Sequence, residues 1–166
     1  RVLAGSSVPG IDRDAVVGNI IARNGNFLTI RGATIIPWDR RAHFHDDVVV
    51  EVGPETKGFR DGYRHSDLEI GAISIGQRVT IHGAQAGTPT TDASAPQVLF
   101  DATQGVVRMH LTHLSGIVNT VMQNQTEITL HGIDRRRVEI FDFTGTGREP
   151  GLDADPDNYE IETGSL

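Results

Sequence analysis

The sequence predicts an all-β protein of two small barrels in tandem, the second incomplete at its C-terminal end. Apolar and polar residues alternate along several short stretches, as in strands that bury one face. No stretch shows the helical periodicity of about 3.6 residues. One strand plan is written twice, and internal repeats bear directly on fold. The first copy runs Gly18-Asn19-Ile20-Ile21, Leu28-Thr29-Ile30-Arg31-Gly32, then Val50-Glu51-Val52 followed by Thr56. The second runs Gly116-Ile117-Val118-Asn119, Ile128-Thr129-Leu130-His131-Gly132, then Val138-Glu139-Ile140 followed by Thr144.

Residues 1–13 read as an N-terminal extension, broken by Gly5, Pro9-Gly10 and Asp12. The first barrel is expected over 14–113. Its first strand covers Ala15–Arg23, and Asn24-Gly25 marks a two-residue hairpin, since both residues tolerate positive φ. The second strand is Phe27–Ile35. Pro37–Asp47 interrupts the pattern, and the third strand is Val48–Val52. A polar loop spans Gly53–Asp67. Leu68–Ile75 and Gly76-Gln77 lead into the strand Arg78–Gly83, with Val79 and Ile81 inward. Residues 84–96 read as an exposed loop, Gln97–Phe100 as a short strand, and Val106–Thr112 as a strand with Val107, Met109 and Leu111 on one face.

The second unit is expected over 114–166, with strands Leu114–Met122, Thr126–Gly132 and Arg137–Phe143. Tyr159-Glu160-Ile161 matches Leu68-Glu69-Ile70 of the first unit. The chain then lacks two strands that the first unit has. An incomplete sheet leaves an open edge, and open edges seek partners. Residues 1–13, the first unit or a neighbouring copy of the chain are expected to cover it, the last giving a homo-oligomer.

Five strands with a long connection between the third and fourth suit an OB-like Greek-key barrel. The spacing also resembles a bacterial tandem OB-like repeat family of unknown function, found in predicted envelope or secreted proteins. The residues that carry the likeness are Gly18 and Gly116, Leu28-Thr29-Ile30 and Ile128-Thr129-Leu130, Val50…Thr56 and Val138…Thr144, and Ile75-Gly76 before Val79-Thr80-Ile81-His82-Gly83. The resemblance covers 14–166 and brings no catalytic residues. It implies a periplasmic, extracellular or cell-envelope location.

The chain has 166 residues, a formal net charge of −7 and no cysteine. The absence of cysteine excludes disulfides, thiolate metal sites and Cys nucleophiles. A negative surface repels phosphate backbones and argues against nucleic-acid binding. Asp39-Arg40-Arg41 and Asp134-Arg135-Arg136-Arg137 are the basic exceptions and read as solvated turns. No apolar run approaches the roughly 20 residues of a membrane-spanning helix. The start at Arg1, with no signal-like segment, reads as a module of a longer chain.

The sharpest chemical feature is His43-Phe44-His45-Asp46-Asp47. Residues i and i+2 of a strand share a side, so His43 and His45 can offer two imidazoles to one zinc or copper ion, with Asp46 or Asp47 closing the set. Asp61, His65 and Asp67 are additional donors if the hairpin folds back. The plainer reading is a polar ribbon with incidental histidines. Asp153-x-Asp155-x-Asp157-Asn158 imitates the start of a calcium loop but lacks its glycine and closing glutamate, with Glu160 or Glu162 as substitutes; the plainer reading is an acidic turn-rich loop. His110 and His113 are three apart and face opposite sides of a strand; His82 and His131 lie outward. Phe27 and Phe141 are candidate stacking platforms or cover for a barrel end or for the seam between units, the seam being the favoured reading. No nucleophile elbow, phosphate loop or zinc-protease motif is present. The leading expectation is a non-catalytic structural or binding module that needs no cofactor and whose partners are other domains of its own chain. The alternative is a metal-binding protein centred on His43, His45 and Asp46.

Overall fold

Alternating Val, Ile and small polar residues build the first hairpin from β1 (Asp14–Asn24) and β2 (Phe27–Ile36). The computed structural model describes residues 13–38, 41–61, 70–86, 100–147 and 149–164. Asn24 pairs with Phe27, so the turn residues are Gly25-Asn26, one position beyond the expected pair. Gly25 takes φ +56° at the first central position, the II′ arrangement that suits a twisted hairpin. Two register shifts, between Val17 and Asn19 and between Ile20 and Ala22, bend β1.

β3 (His43–Glu51) pairs antiparallel with β2 from Ile35↔His43 to Phe27↔Glu51. It starts well before the expected Val48. Backbone pairing with β2 needs no apolar side chains, so the polar stretch His43–Asp47 extends the ladder. Val48 and Val50 enter the core, at 0% exposure.

β4 (Lys57–Arg60), β5 (Arg78–Gln85) and β6 (Phe100–Met109) complete the first sheet. Its order is β3-β2-β1-β5-β6-β4, and β3 also pairs parallel with β6 through Val50↔Phe100 and Glu51↔Asp101. That contact closes the sheet into a barrel. β4 falls in the expected loop 53–67; Lys-Gly-Phe-Arg shows no alternation, and its parallel partner β6 is remote in sequence. Of the expected short strand Gln97–Phe100 only Phe100 is among the described residues, and it opens β6; β6 ends before Leu111, which is 82% exposed and so leaves the face of Val107 and Met109. Its antiparallel partner runs out there, because β5 begins at Arg78.

Of the lead-in 68–75, residues Ile70–Ala72 form a 3-10 turn. The Arg23 guanidinium donates to the carbonyls of Ile70 (3.1 Å) and Ile73 (2.6 Å) and holds this turn. Val16, Ile20, Leu28, Ile30, Val79 and Ile81 are all at 0% exposure. Each contributes about 1.5–3 kcal/mol by leaving water. Thr56, 6% exposed, staples the β3–β4 turn to β6. Its Oγ1 accepts the Gly53 N–H (2.8 Å) and donates to the Ala102 carbonyl (2.7 Å).

Contacts divide the chain into two units, Arg1–Leu111 and Thr112–Leu166. The second contains β7 (Leu114–Val121), β8 (Gln125–Ile133), β9 (Arg136–Arg137) and β10 (Tyr159–Glu162). The β7–β8 hairpin repeats β1–β2, including both register shifts, between Ser115 and Gly116 and between Val118 and Thr120. These shifts equate Ile20↔Ile30 with Val118↔Ile128. The motif match of Leu28 with Ile128 is therefore slipped by a step that period-two alternation tolerates.

The expected third strand, Arg137–Phe143, is not formed. β9 pairs with β8 only through Gly132↔Arg137 and Ile133↔Arg136, and Val138–Ile140 is a 3-10 turn. The place that β3 holds on β2 is taken on β8 by β10, through Tyr159↔Ile128 and Ile161↔Thr126. Aromatic burial accounts for the detour. Phe141 and Phe143 turn inward, 7% and 8% exposed, and the Phe143 ring lies 6.1 Å from that of Tyr159. Phe141 is thus part of this unit's core, not an outward platform.

Asp134 and Arg135 form the β8–β9 turn with φ +48° and +64°, a I′ turn without glycine. An L-residue pays about 1–2 kcal/mol for that conformation. Arg135→Gly is expected to stabilise the second unit by about 1 kcal/mol, read as slower amide exchange in β8. Thr56→Val keeps the shape but strands the Gly53 N–H and Ala102 carbonyl. It is expected to cost about 1–3 kcal/mol in denaturant unfolding followed by Trp38 fluorescence.

Candidate ligand cleft in the first unit

Four separated stretches of the first barrel converge on one open cleft of about 310 Å³, lined by Asp14, Trp38, Gly83, Asp101, Thr103 and Gln104 among others. Asp14 opens β1, Trp38 follows β2, Gly83 sits in β5, and Asp101–Gln104 belong to β6. A register irregularity between His82 and Ala84 brings β5 against β6 here. A Cβ on Gly83 would come within 2.2 Å of the Asp101 carbonyl, so only glycine permits the approach.

The polar groups are held before any ligand arrives. Asp14 Oδ1 accepts the Trp38 backbone N–H (3.1 Å), and Oδ2 accepts the Gln85 side-chain amide (3.1 Å). Asp101 Oδ1 accepts the N–H and the hydroxyl of Thr103, at 2.9 and 2.8 Å. Arg13 donates to the Gln104 carbonyl. The Trp38 backbone is thereby fixed while its indole stays 67% exposed. A bare indole beside a cleft of carboxylate, amide and hydroxyl groups offers one apolar face and several fixed polar contacts.

The histidine pair lies elsewhere on this unit. His43 and His45 share a side of β3, with ring centroids 5.1 Å apart in an edge-to-face contact. Strand alternation puts Asp46 on the opposite side, so the set His43, His45, Asp46 does not converge. Asp47 shares their side, but both its oxygens accept from Arg31 at 2.8 Å. Among the described residues no three His, Asp or Glu side chains form a metal-holding group. His65, Asp67 and Asp39-Arg40 lie outside the described residues. In the acidic loop, Asp153 Oδ1 accepts the Gly147 N–H (2.8 Å) and Asp155 Oδ1 the Asp157 N–H (2.9 Å). Those hydrogen bonds make turns, and backbone hydrogen bonds from Gly147, Gly145 and Thr146 hold the Asp153 carboxyl below the usual carboxylate range.

Asp61 and His110 do meet. His110 Nδ1 lies 2.6 Å from Asp61 Oδ2, and Nε2 lies 2.7 Å from Thr80 Oγ1. The order hydroxyl–imidazole–carboxylate is that of a nucleophilic triad. Here Thr80 stands on the outer side of β5, between inward Val79 and Ile81, and outside the cleft. The three groups join the ends of β4 and β6 to β5. Sequence reading missed both this trio and the cleft. The signal for the cleft was Trp38, the single tryptophan, set in a polar segment with no alternating partner.

Asp47 and Arg31 are cross-strand partners, 40% and 38% exposed. The hydrogen bonds from Arg31 pull the Asp47 carboxyl below its ordinary value, and the same bonds raise Arg31. A carboxyl lowered on folding contributes stability above its unfolded pKa, and that stability is lost as pH falls through the folded value. Asp47→Asn is expected to cost no more than about 1 kcal/mol at neutral pH, given the exposure. The difference from wild type should vanish in strong acid, measured by urea unfolding at several pH values.

No family model matches the sequence, and no curated protein or solved structure matches it either. No helix among the described residues is long and apolar enough to cross a membrane.

Proposed function

We propose that the chain is a non-catalytic binding module of a bacterial envelope protein. Its first unit would be an OB-like barrel that holds a glycan segment against Trp38. The barrel reading is supported by the strand order β3-β2-β1-β5-β6, with β3 and β6 parallel at the closure. The ligand reading rests on the cleft. Its volume of about 310 Å³ accommodates one or two sugar rings, near the lower end of ordinary ligand sites. A pyranose presents C–H groups on one face and hydroxyls around its rim. The Trp38 indole meets the first, and Asp101, Thr103 and Gln104 meet the second.

Catalysis is disfavoured by how the carboxylates are used. Asp14 accepts from Trp38 and Gln85 through its two oxygens and is spent on holding the cleft, while Asp101 accepts from Thr103 through Oδ1. The net charge of −7 disfavours a phosphate-rich ligand.

Trp38 is the single tryptophan, so its fluorescence reports the cleft directly. Titration with a panel of cell-wall oligosaccharides is expected to give a saturable change with one member or class. Trp38→Ala should weaken binding by about tenfold or more in calorimetry, the loss of one stacking contact of about 1–2 kcal/mol. A panel with no saturable response, or hydrolysis of a bound saccharide, overturns the reading.

A further inference from the structure

In the first unit, β1 has a neighbour on each side, β2 and β5. Its Val16 and Ile20 are at 0% exposure. The shared register shifts put Leu114 where Val16 stands and Val118 where Ile20 stands. In the second unit β7 has one neighbour, β8, and the described residues hold no counterpart of β5. Leu114 is 38% exposed, Ile117 59%, Val118 57% and Val121 72%. Side chains suited to a covered strand are bare.

The edge also lacks the usual protection. Natural edge strands carry lysine, proline or inward charges that discourage pairing. β7 reads Leu-Ser-Gly-Ile-Val-Asn-Thr-Val, with no charge and no proline.

We propose that the free edge of β7 accepts an added antiparallel strand of β5's chemistry: an extended partner segment with aliphatic residues at alternate positions. The first unit supplies the register. There Val16 faces Ile81, Gly18 faces Val79 and Asn19 faces Arg78. The incoming strand places its two aliphatic residues opposite Leu114 and Gly116, with main-chain hydrogen bonds providing affinity and the alternation providing selectivity. A second β7 fits less well. β5 meets the bent β1 in unbroken register from Asp14 to Asn19, whereas a second β7 brings two irregularities of its own.

The probe is a synthetic peptide with the sequence of residues 76–85, Gly-Gln-Arg-Val-Thr-Ile-His-Gly-Ala-Gln, added to the whole protein. Amides of 114–121 are expected to gain protection from hydrogen exchange as the peptide saturates. A peptide with aspartate at the positions of Val79 and Ile81 should give none. Val118→Asp in the protein should weaken binding by about tenfold or more, because an aliphatic contact is lost and a charge is desolvated. The site is exposed, so this variant should keep β8 exchange unchanged. Unaltered β7 exchange at saturating peptide overturns the proposal. So does a protein that sediments as a dimer with β7 already protected in the absence of peptide.

Discussion

The first unit depends on a short parallel contact, Val50 against Phe100 and Glu51 against Asp101. Antiparallel hairpins alone would leave β3 and β6 as opposite edges of a curved sheet. Joining them takes both edges out of solvent where they meet and sets Val48, Val50 and Phe100 at 0% exposure. Thr56 sits beside the seam and ties the chain leaving β3 to β6 through the Ala102 carbonyl. The closure also positions the cleft, since Asp101 is one of the paired residues and Thr103 and Gln104 follow it. A fault at the seam would therefore reach stability and cleft geometry together.

What was legible in the sequence was local. Leu28, Ile30, Val79 and Ile81 alternate with polar neighbours, and the structure buries all of them. The all-β fold follows. The likeness of the two hairpins was legible too, but only to within a period-two slip. Matching Leu28-Thr29-Ile30 to Ile128-Thr129-Leu130 preserves every inward position while missing the pairing, which the bulges fix at Ile30 with Ile128. β4 was not legible, because Lys57–Arg60 becomes a strand only through a remote partner. Nor was the exchange of β10 for the third strand, which depends on three aromatic rings finding one another.

The same distinction separates the two candidate sites. His43 and His45 are adjacent in pattern, so their shared side could be read directly, and the rings do meet. Adjacent spacing does not supply the remaining ligands. Asp46 is on the wrong side by alternation, and Asp47 is committed to the guanidinium opposite it. The Trp38 cleft shows no local spacing at all. Its walls come from opposite ends of the first unit and are joined by the β1–β5 and β5–β6 ladders. Sites of that kind appear only when the strand order is known.

Among the described residues, one hairpin plan occurs in both units, with a strand on the outer side of β1 and none on that of β7. Both carry the same pair of bulges, which bend a strand and increase its twist. In the first unit the bend lets β1 span from β2 to β5 and wrap a core. In the second the bend is present, but Leu130, Ile133, Phe141 and Phe143 are buried while Leu114, Ile117, Val118 and Val121 of β7 stay exposed. An edge bent to receive a strand, with four exposed aliphatic residues and no charge, is costly to leave in water and prone to non-specific pairing. The charged residues of the unit, among them Glu127 on β8, Arg135 to Arg137 and the acidic loop from Asp153 to Asp157, lie outside β7. That distribution suits a strand whose working state is paired.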